Sequence, residues 1–315
     1  MSAFARGVII TLLGASMWGF SGSCSQYLFA NTDITSLFLT TARMLCSGLL
    51  FLAFLLWRRR DDVRGILSDP EWRRQLLIFG CLGLFLCQFT YVVLVSYTNA
   101  GTATVLQSFN VVFCLIITCV QERRPPRLHE LAAIALALVA TVLIATKGNL
   151  TSLSLPVEGL VWGLFNALSC ALYITYPKRL FARWGSLPVT GLGMLFGGIT
   201  ALAVSVASSG LALATSGTIG QLVSFPALDA PAVGVLLIVI LVGTFGAFGL
   251  YLHGVSVVGG VKGSLLGTME PVSAMVFSSL WLRTNFVWAD WVALFLMIGT
   301  VFLVSLQGGK GQRQG

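Results

Sequence analysis

The sequence predicts an all-α polytopic membrane protein: ten transmembrane helices in two inverted halves of five, over about 1–150 and 151–315. Three observations carry this. The 315 residues are 57% hydrophobic and 10% charged, with a mean hydropathy of +0.91, too few polar groups to coat a soluble domain. Ten runs reach the roughly 20 mainly apolar residues that a spanning helix needs. Finally, the chain resembles itself at one spacing: Val139–Ile144 matches Ile298–Leu303 at a shift of 159, and Asn110 matches Pro271 at 161.

The first run, 7–29, sets Trp18, Gly22 and Gln26 four residues apart with Ser21 and Ser25 beside them, so one helix face is aromatic, small and polar. The second, 34–57, holds Arg43 about nine residues in, roughly 13 Å along the helix. Gln88 and Tyr91 lie three apart in 75–97, and Gln107, Asn110 and Cys114 share a face of 101–120. The fifth run, 128–146, is aliphatic after its first turn. In the second half, 157–177 aligns Asn166, Cys170 and Tyr173, and 187–207 carries no charge. Phe245, Phe248 and Tyr251 recur every three residues in 232–254; 262–282 contains Glu270-Pro271, and 287–306 ends the series.

Polar side chains within a bilayer line water or bond across helices. Trp18, Gln26, Gln88, Tyr91, Gln107, Asn110, Asn166, Tyr173 and Tyr251 are therefore candidate ligands for a small molecule, since pockets combine apolar walls with a few placed polar groups. For each residue the alternative is an interhelical hydrogen bond or aromatic packing.

Two charges lie at depth. Glu270 is followed by Pro271, which removes a backbone donor and favours a kink. Gly259, Gly263 and Gly267 precede it at four-residue spacing, which leaves a bare face for a neighbouring helix. An acid there costs roughly 2.5–3.5 kcal/mol unless it meets a partner or water. Two roles stay open: a carboxyl that exchanges a proton in a working cycle, or a permanently protonated donor of one hydrogen bond. Arg43 is either a counter-charge for a carboxylate, of a ligand or of Glu270, or a fixed donor to backbone carbonyls at a helix break.

The formal charge of +8 lies in the connections. With the N-terminus in the cytoplasm, all of the 19 basic residues except Arg43, Lys147 and Arg283 fall inside. Both termini are then cytoplasmic, and the basic balance needs no nucleic acid to explain it. The six arginines from Arg58 to Arg74, mixed with Asp61, Asp62, Asp69 and Glu71, form either an amphipathic segment on anionic lipid or a solvated loop. The 208–230 stretch reads as the longest external connection, a linker or partial lid. All seven cysteines fall within spans, which predicts no disulfide, and no thiol or imidazole cluster suggests a metal. No cofactor is expected. The first run is too long for a cleaved signal.

Five crossings per half reverse the second copy relative to the first, which places a cavity between the halves near the midplane. Trp18-Gly19, Arg43, the small-residue entry Asn99–Thr104, Glu122-Arg123 at the end of the fourth run and Glu270-Pro271 in the ninth together resemble the EamA branch of the drug/metabolite transporter superfamily over nearly the whole length. Asn110 departs from the proline usual there, and Arg283 stands near the place of the second half's closing acid. The resemblance implies alternating-access export of small metabolites such as amino acids across the plasma (inner) membrane; their charge at depth and the kink make Glu270, Pro271 and Arg43 the candidate coupling or gating residues. An uptake permease or facilitator of the same fold is the nearest alternative. No nucleotide-binding loop, catalytic dyad or metal set supports an intramembrane enzyme, and a repeated, broken-helix architecture argues against a purely sensory or structural protein. The expected partners are a small-molecule substrate and the lipid bilayer, with monomer and homodimer both open.

Overall fold

The computed structural model describes residues 2–216 and 227–311, all of them helix or short connection. In chain order the helices are α1 (Ala3–Asn31), α2 (Ser36–Arg58), α3 (Arg60–Ser68), α4 (Pro70–Tyr97), α5 (Ala100–Gln107), α6 (Asn110–Gln121), α7 (Leu128–Thr146), α8 (Val157–Thr175), α9 (Lys178–Trp184), α10 (Ser186–Ser216), α11 (Ala230–Val258), α12 (Gly260–Gly267), α13 (Met269–Leu280) and α14 (Trp288–Gly311). Nine stretches among the described residues are long and apolar enough to cross a membrane. The expected ninth run is not one of them: it is the α12–α13 pair, divided at Thr268 and diluted by glycine, serine and Glu270. The Lys310–Gly311 end closes α14 and Arg313 lies outside the described residues. Of the expected 208–230 connection, 208–216 continue α10 as helix because the run stays small and apolar, and 217–226 lie outside the described residues.

Local chemistry sets the helix starts. Thr35, Asp69, Asn99 and Asp229 each accept a hydrogen bond from a first-turn amide, which satisfies donors that a helix cannot pair internally. Pro70, at the first position of α4, has no amide to satisfy. Between α6 and α7, Arg124 grips Glu130 through two bonds of 2.7 and 2.8 Å and also meets Glu122. Those carboxylates, Glu130 foremost, hold the guanidinium pKa above its usual range.

The two halves share their irregularities. Both α4 and α11 contain a π-helical segment, Phe79–Leu84 and Leu241–Gly246. Both of the next helices are broken, at Ser108-Phe109 and at Thr268. Arg123 and Arg283 both adopt left-handed backbone, φ 50° and 53°, where those broken helices end. These pairs sit close to the spacing read from the sequence. Helix starts pair Asn110 with Met269, so the Asn110–Pro271 match shifts by two residues; Glu270 then faces Val111 in the repeat rather than Phe109, and has no acidic counterpart either way.

The halves interlock through α1 on α11 and α13 and through α2 on α10. The α2–α10 contact is made by small residues on both sides: a Cβ on Gly48 would fall 2.6 Å from the Leu195 Cα, and one on Gly198 would fall 2.6 Å from the Leu45 nitrogen. Backbones can approach this closely only without side chains between them. Large apolar groups such as Leu128 (84% exposed) and Phe295 (66%) remain on the outer surface, as a lipid-facing belt requires.

Two expectations change. Gly259 is the left-handed turn (φ 88°) between α11 and α12 and does not extend a glycine face. Gly263 and Gly267 do face a neighbour, but what they admit is the side chains of Val255 and Tyr251 rather than a backbone. The Arg58–Arg74 segment folds as α3 and the start of α4 with Val63 and Ile66 buried and Trp72 edge-on to Trp184, so its apolar side is covered by protein rather than by lipid or solvent.

Candidate functional site

A cavity of about 480 Å³ lies between the halves, walled by α1, α2, α4, α5, α6, α8, α11, α12 and α13, with Phe181 of α9 and Val301 of α14 at its edge. It extends to the exposed Gly260 near one end of the bundle. Ten of the predicted residues line it: Trp18, Arg43, Gln88, Tyr91, Gln107, Asn110, Tyr173, Tyr251, Glu270 and Pro271. The aromatic wall is built by Trp18 against Phe248 (4.8 Å between centroids, edge-on) and Tyr251 (4.5 Å). Tyr251 donates to the Gly263 carbonyl at 3.1 Å, and Tyr173 stacks on Phe79.

The helix breaks supply the polar floor. The lost amide of Pro271 leaves the Gly267 carbonyl without its usual partner, and Thr268 Oγ1 donates to Leu265 O at 2.7 Å beside the break. In the other half Asn110 Nδ2 donates to Gln107 O at 2.8 Å. Gln107 Nε2 then reaches across the cavity to Glu270 Oε1 at 3.5 Å. Each broken helix therefore brings one polar side chain to a contact between the halves.

Arg43 is 3% exposed, and its Nε donates to Thr244 Oγ1 at 3.2 Å. Thr244 belongs to the π-helical segment of α11, and its hydroxyl donates a hydrogen bond to Val239 O at 2.8 Å. Arg43 and Glu270 line the same cavity without an ion pair between them, the pairs among the described residues being Arg59–Asp62, Arg124 with Glu122 and Glu130, and Lys147–Asp290. Among the described residues, four buried donors on the cavity wall have no hydrogen-bond partner: Trp18 Nε1, Arg43 Nη1, Gln88 Nε2 and Tyr91 Oη.

Gln26 and Asn166 lie elsewhere. Gln26 Oε1 accepts from the Ala100 amide (3.0 Å) and from Ser278 Oγ (3.1 Å), while its Nε2 donates to Thr284 Oγ1 (3.0 Å). It joins α1, α5, α13 and the following loop at the end of the bundle opposite Gly260. Asn166 is fully buried and donates to Cys87 O and Thr90 Oγ1, which fastens α8 to α4. Their helical spacing was right for a shared face, which reaches the cavity at Trp18 and at Tyr173; at Gln26 and Asn166 the same face meets a neighbouring helix. Of the α11 stripe, Phe248 and Tyr251 line the cavity; Thr244 was missed because it sits behind the wall in the π-helical segment, where it holds Arg43. Phe245 is turned onto Phe51.

Helices that surround a polar, partly aromatic cavity, with the chain's two deep charges in its wall, have the architecture of a membrane transporter. The EamA-like transporter family matches the chain twice, over residues 5–146 and 157–306, and the chain belongs to that family, within the drug/metabolite transporter superfamily. It is 34% identical over 313 residues to an uncharacterized inner membrane transporter, YicL, of Salmonella typhimurium, covering 99% of both chains. A solved crystal structure of a protein matches at a TM-score of 0.60 and 17% identity over 97% of this chain and 96% of that chain, a likeness of fold.

Proposed function

We propose that the protein is a secondary transporter that exports small metabolites such as amino acids across the inner (plasma) membrane by alternating access, with Glu270 as the group that exchanges a proton. The carrying observation is the asymmetry of the central cavity. It extends to exposed Gly260 at one end, while at the other the Gln26 bonds draw α1, α5 and α13 together. That is the arrangement expected of one state of a two-state machine with a single binding site. The basic residues of the α2–α4, α6–α7, α8–α10 and α11–α12 connections all fall at the Gly260 end if each helix crosses once, which supports cytoplasmic termini and a cavity facing the cytoplasm.

The test is flux from proteoliposomes loaded with labelled amino acids, with and without an imposed pH gradient. Gradient-stimulated efflux supports the reading. Flux insensitive to the gradient would reduce the protein to a facilitator, and a cycle that runs equally well inward would make it an uptake permease under the prevailing gradients. Absence of flux for every labelled compound would remove the transport role of the cavity.

A further inference from the structure

We infer that Arg43 is the anchor for a carboxylate on the transported molecule, with Gln88 and Tyr91 completing the donor set. The inference rests on the cavity being a transport site.

A guanidinium carries five N–H donors and no acceptor. In Arg43 the Nε is committed to Thr244, and the buried Nη1 has no partner among the described residues. Glu270 does not meet that need: no ion pair links the two, and its Oε1 receives Gln107. A buried charge with unmet donors is strongly unfavourable. The neighbouring groups deepen the deficit, because Gln88 Nε2 and Tyr91 Oη are also buried on this wall without partners. Three donor-bearing side chains from α2 and α4 thus meet one cavity, and what they lack is an acceptor.

The charge count favours carboxylate over phosphate. Among the described residues Arg43 is the cavity's one cation and Glu270 its one acid, so a monoanion on Arg43 balances the wall when Glu270 is protonated, whereas a dianion leaves one more negative charge in low dielectric in either protonation state of Glu270. The planar fork of arginine also matches a carboxylate bidentately. Thr244, held from the second half by its bond to Val239 O, restricts the fork at Nε and leaves the Nη side for the ligand. Thr244 is therefore a positioning residue.

The experiment measures thermal stabilisation of the purified full-length chain by leucine, phenylalanine, lactate and benzoate. These are set beside leucinamide, phenylalaninamide, isoamylamine and inorganic phosphate, and the same probes are run in proteoliposome counterflow. At least one carboxylate is expected to stabilise the wild type, its carboxamide to fail, and Arg43→Gln to weaken apparent binding roughly tenfold to a hundredfold, the effect of losing charge-assisted bonds. Arg43→Lys, which keeps the charge in a monodisperse protein, should recover part of the affinity, and Thr244→Val should weaken carboxylate binding several-fold without abolishing it. Equal stabilisation by acid and amide, unchanged carboxylate binding in Arg43→Gln, stabilisation by phosphate alone, or no carboxylate-dependent effect across the panel would each overturn the inference. Counterflow of isoamylamine without a carboxylate effect would retain the transporter and discard the anchor; carboxylate binding lost in Arg43→Gln, with no flux, would do the reverse.

Discussion

Gln26 Oε1 accepts the Ala100 amide at 3.0 Å, so a side chain from the middle of the first helix's polar stripe completes the N-terminal turn of α5. The same oxygen takes Ser278 Oγ, and the amide nitrogen takes Thr284 Oγ1. One glutamine therefore bridges the two halves at the closed end of the cavity.

Gln26→Ala removes those three bonds and leaves the Ala100 amide buried without its acceptor. The expected loss is about 1–3 kcal/mol, read as a lower midpoint in thermal unfolding. A reporter cysteine at Ala103 should also become several-fold more reactive to an impermeant thiol reagent from the closed side. An unchanged midpoint together with unchanged labelling would show that the bridge holds nothing shut.

Asp290 does two jobs at the start of α14: its Oδ2 accepts the Val287 amide at 2.9 Å, and its Oδ1 meets the Lys147 ammonium at the end of α7. Asp290 is 1% exposed and Lys147 is partly exposed. Asp290→Ala should therefore cost about 2–3 kcal/mol, and Lys147→Ala distinctly less, since losing the buried acid also removes a helix cap. Equal losses in chemical unfolding would contradict this division.

Gly198→Val would place side-chain atoms where Leu45's backbone nitrogen already lies within 2.6 Å of the Cβ position. The α2–α10 contact must part, at a cost of about 3 kcal/mol or more. Size-exclusion chromatography should show loss of the monodisperse species, whereas Gly234→Val, at a position with nothing within 4 Å of its Cβ, should leave it intact.

Glu270→Gln keeps the shape and the contact with Gln107 while removing the exchangeable proton. Under the proposed coupling, efflux driven by a pH gradient should fall at least tenfold, with counterflow in the absence of a gradient retained. Gradient-driven efflux at wild-type rates would take Glu270 out of the coupling role.

Helix content was legible because burial in a bilayer forces long apolar runs: the expected 128–146 run is α7, and the other expected runs lie within a few residues of a helix or, for 101–120 and 262–282, of a broken helix pair, except that α10 continues nine residues past the expected 207 to Ser216. The sequence also pointed to ten of the 25 residues that line the cavity, among them both charges and all three amides. Spacing failed where a residue's face is chosen by a neighbour, as at Gln26 and Asn166, because periodicity assigns a direction and not what lies in that direction. The π-helical turns were invisible for a related reason. They arise from packing between helices rather than from a residue pattern, and they carry Thr244 to Arg43.

By itself, then, the sequence determined that this chain is a helical membrane protein with one acid and one arginine at depth, because the bilayer penalises each polar group according to its own chemistry. Only the tertiary structure decided that Arg43 and Glu270 face one cavity without pairing, that Arg43 is steered by a hydroxyl about two hundred positions away in the chain, and that Gln26 ties α1 to α5 and α13. Those are relations between helices, set by how the backbones pack, and no local pattern encodes them.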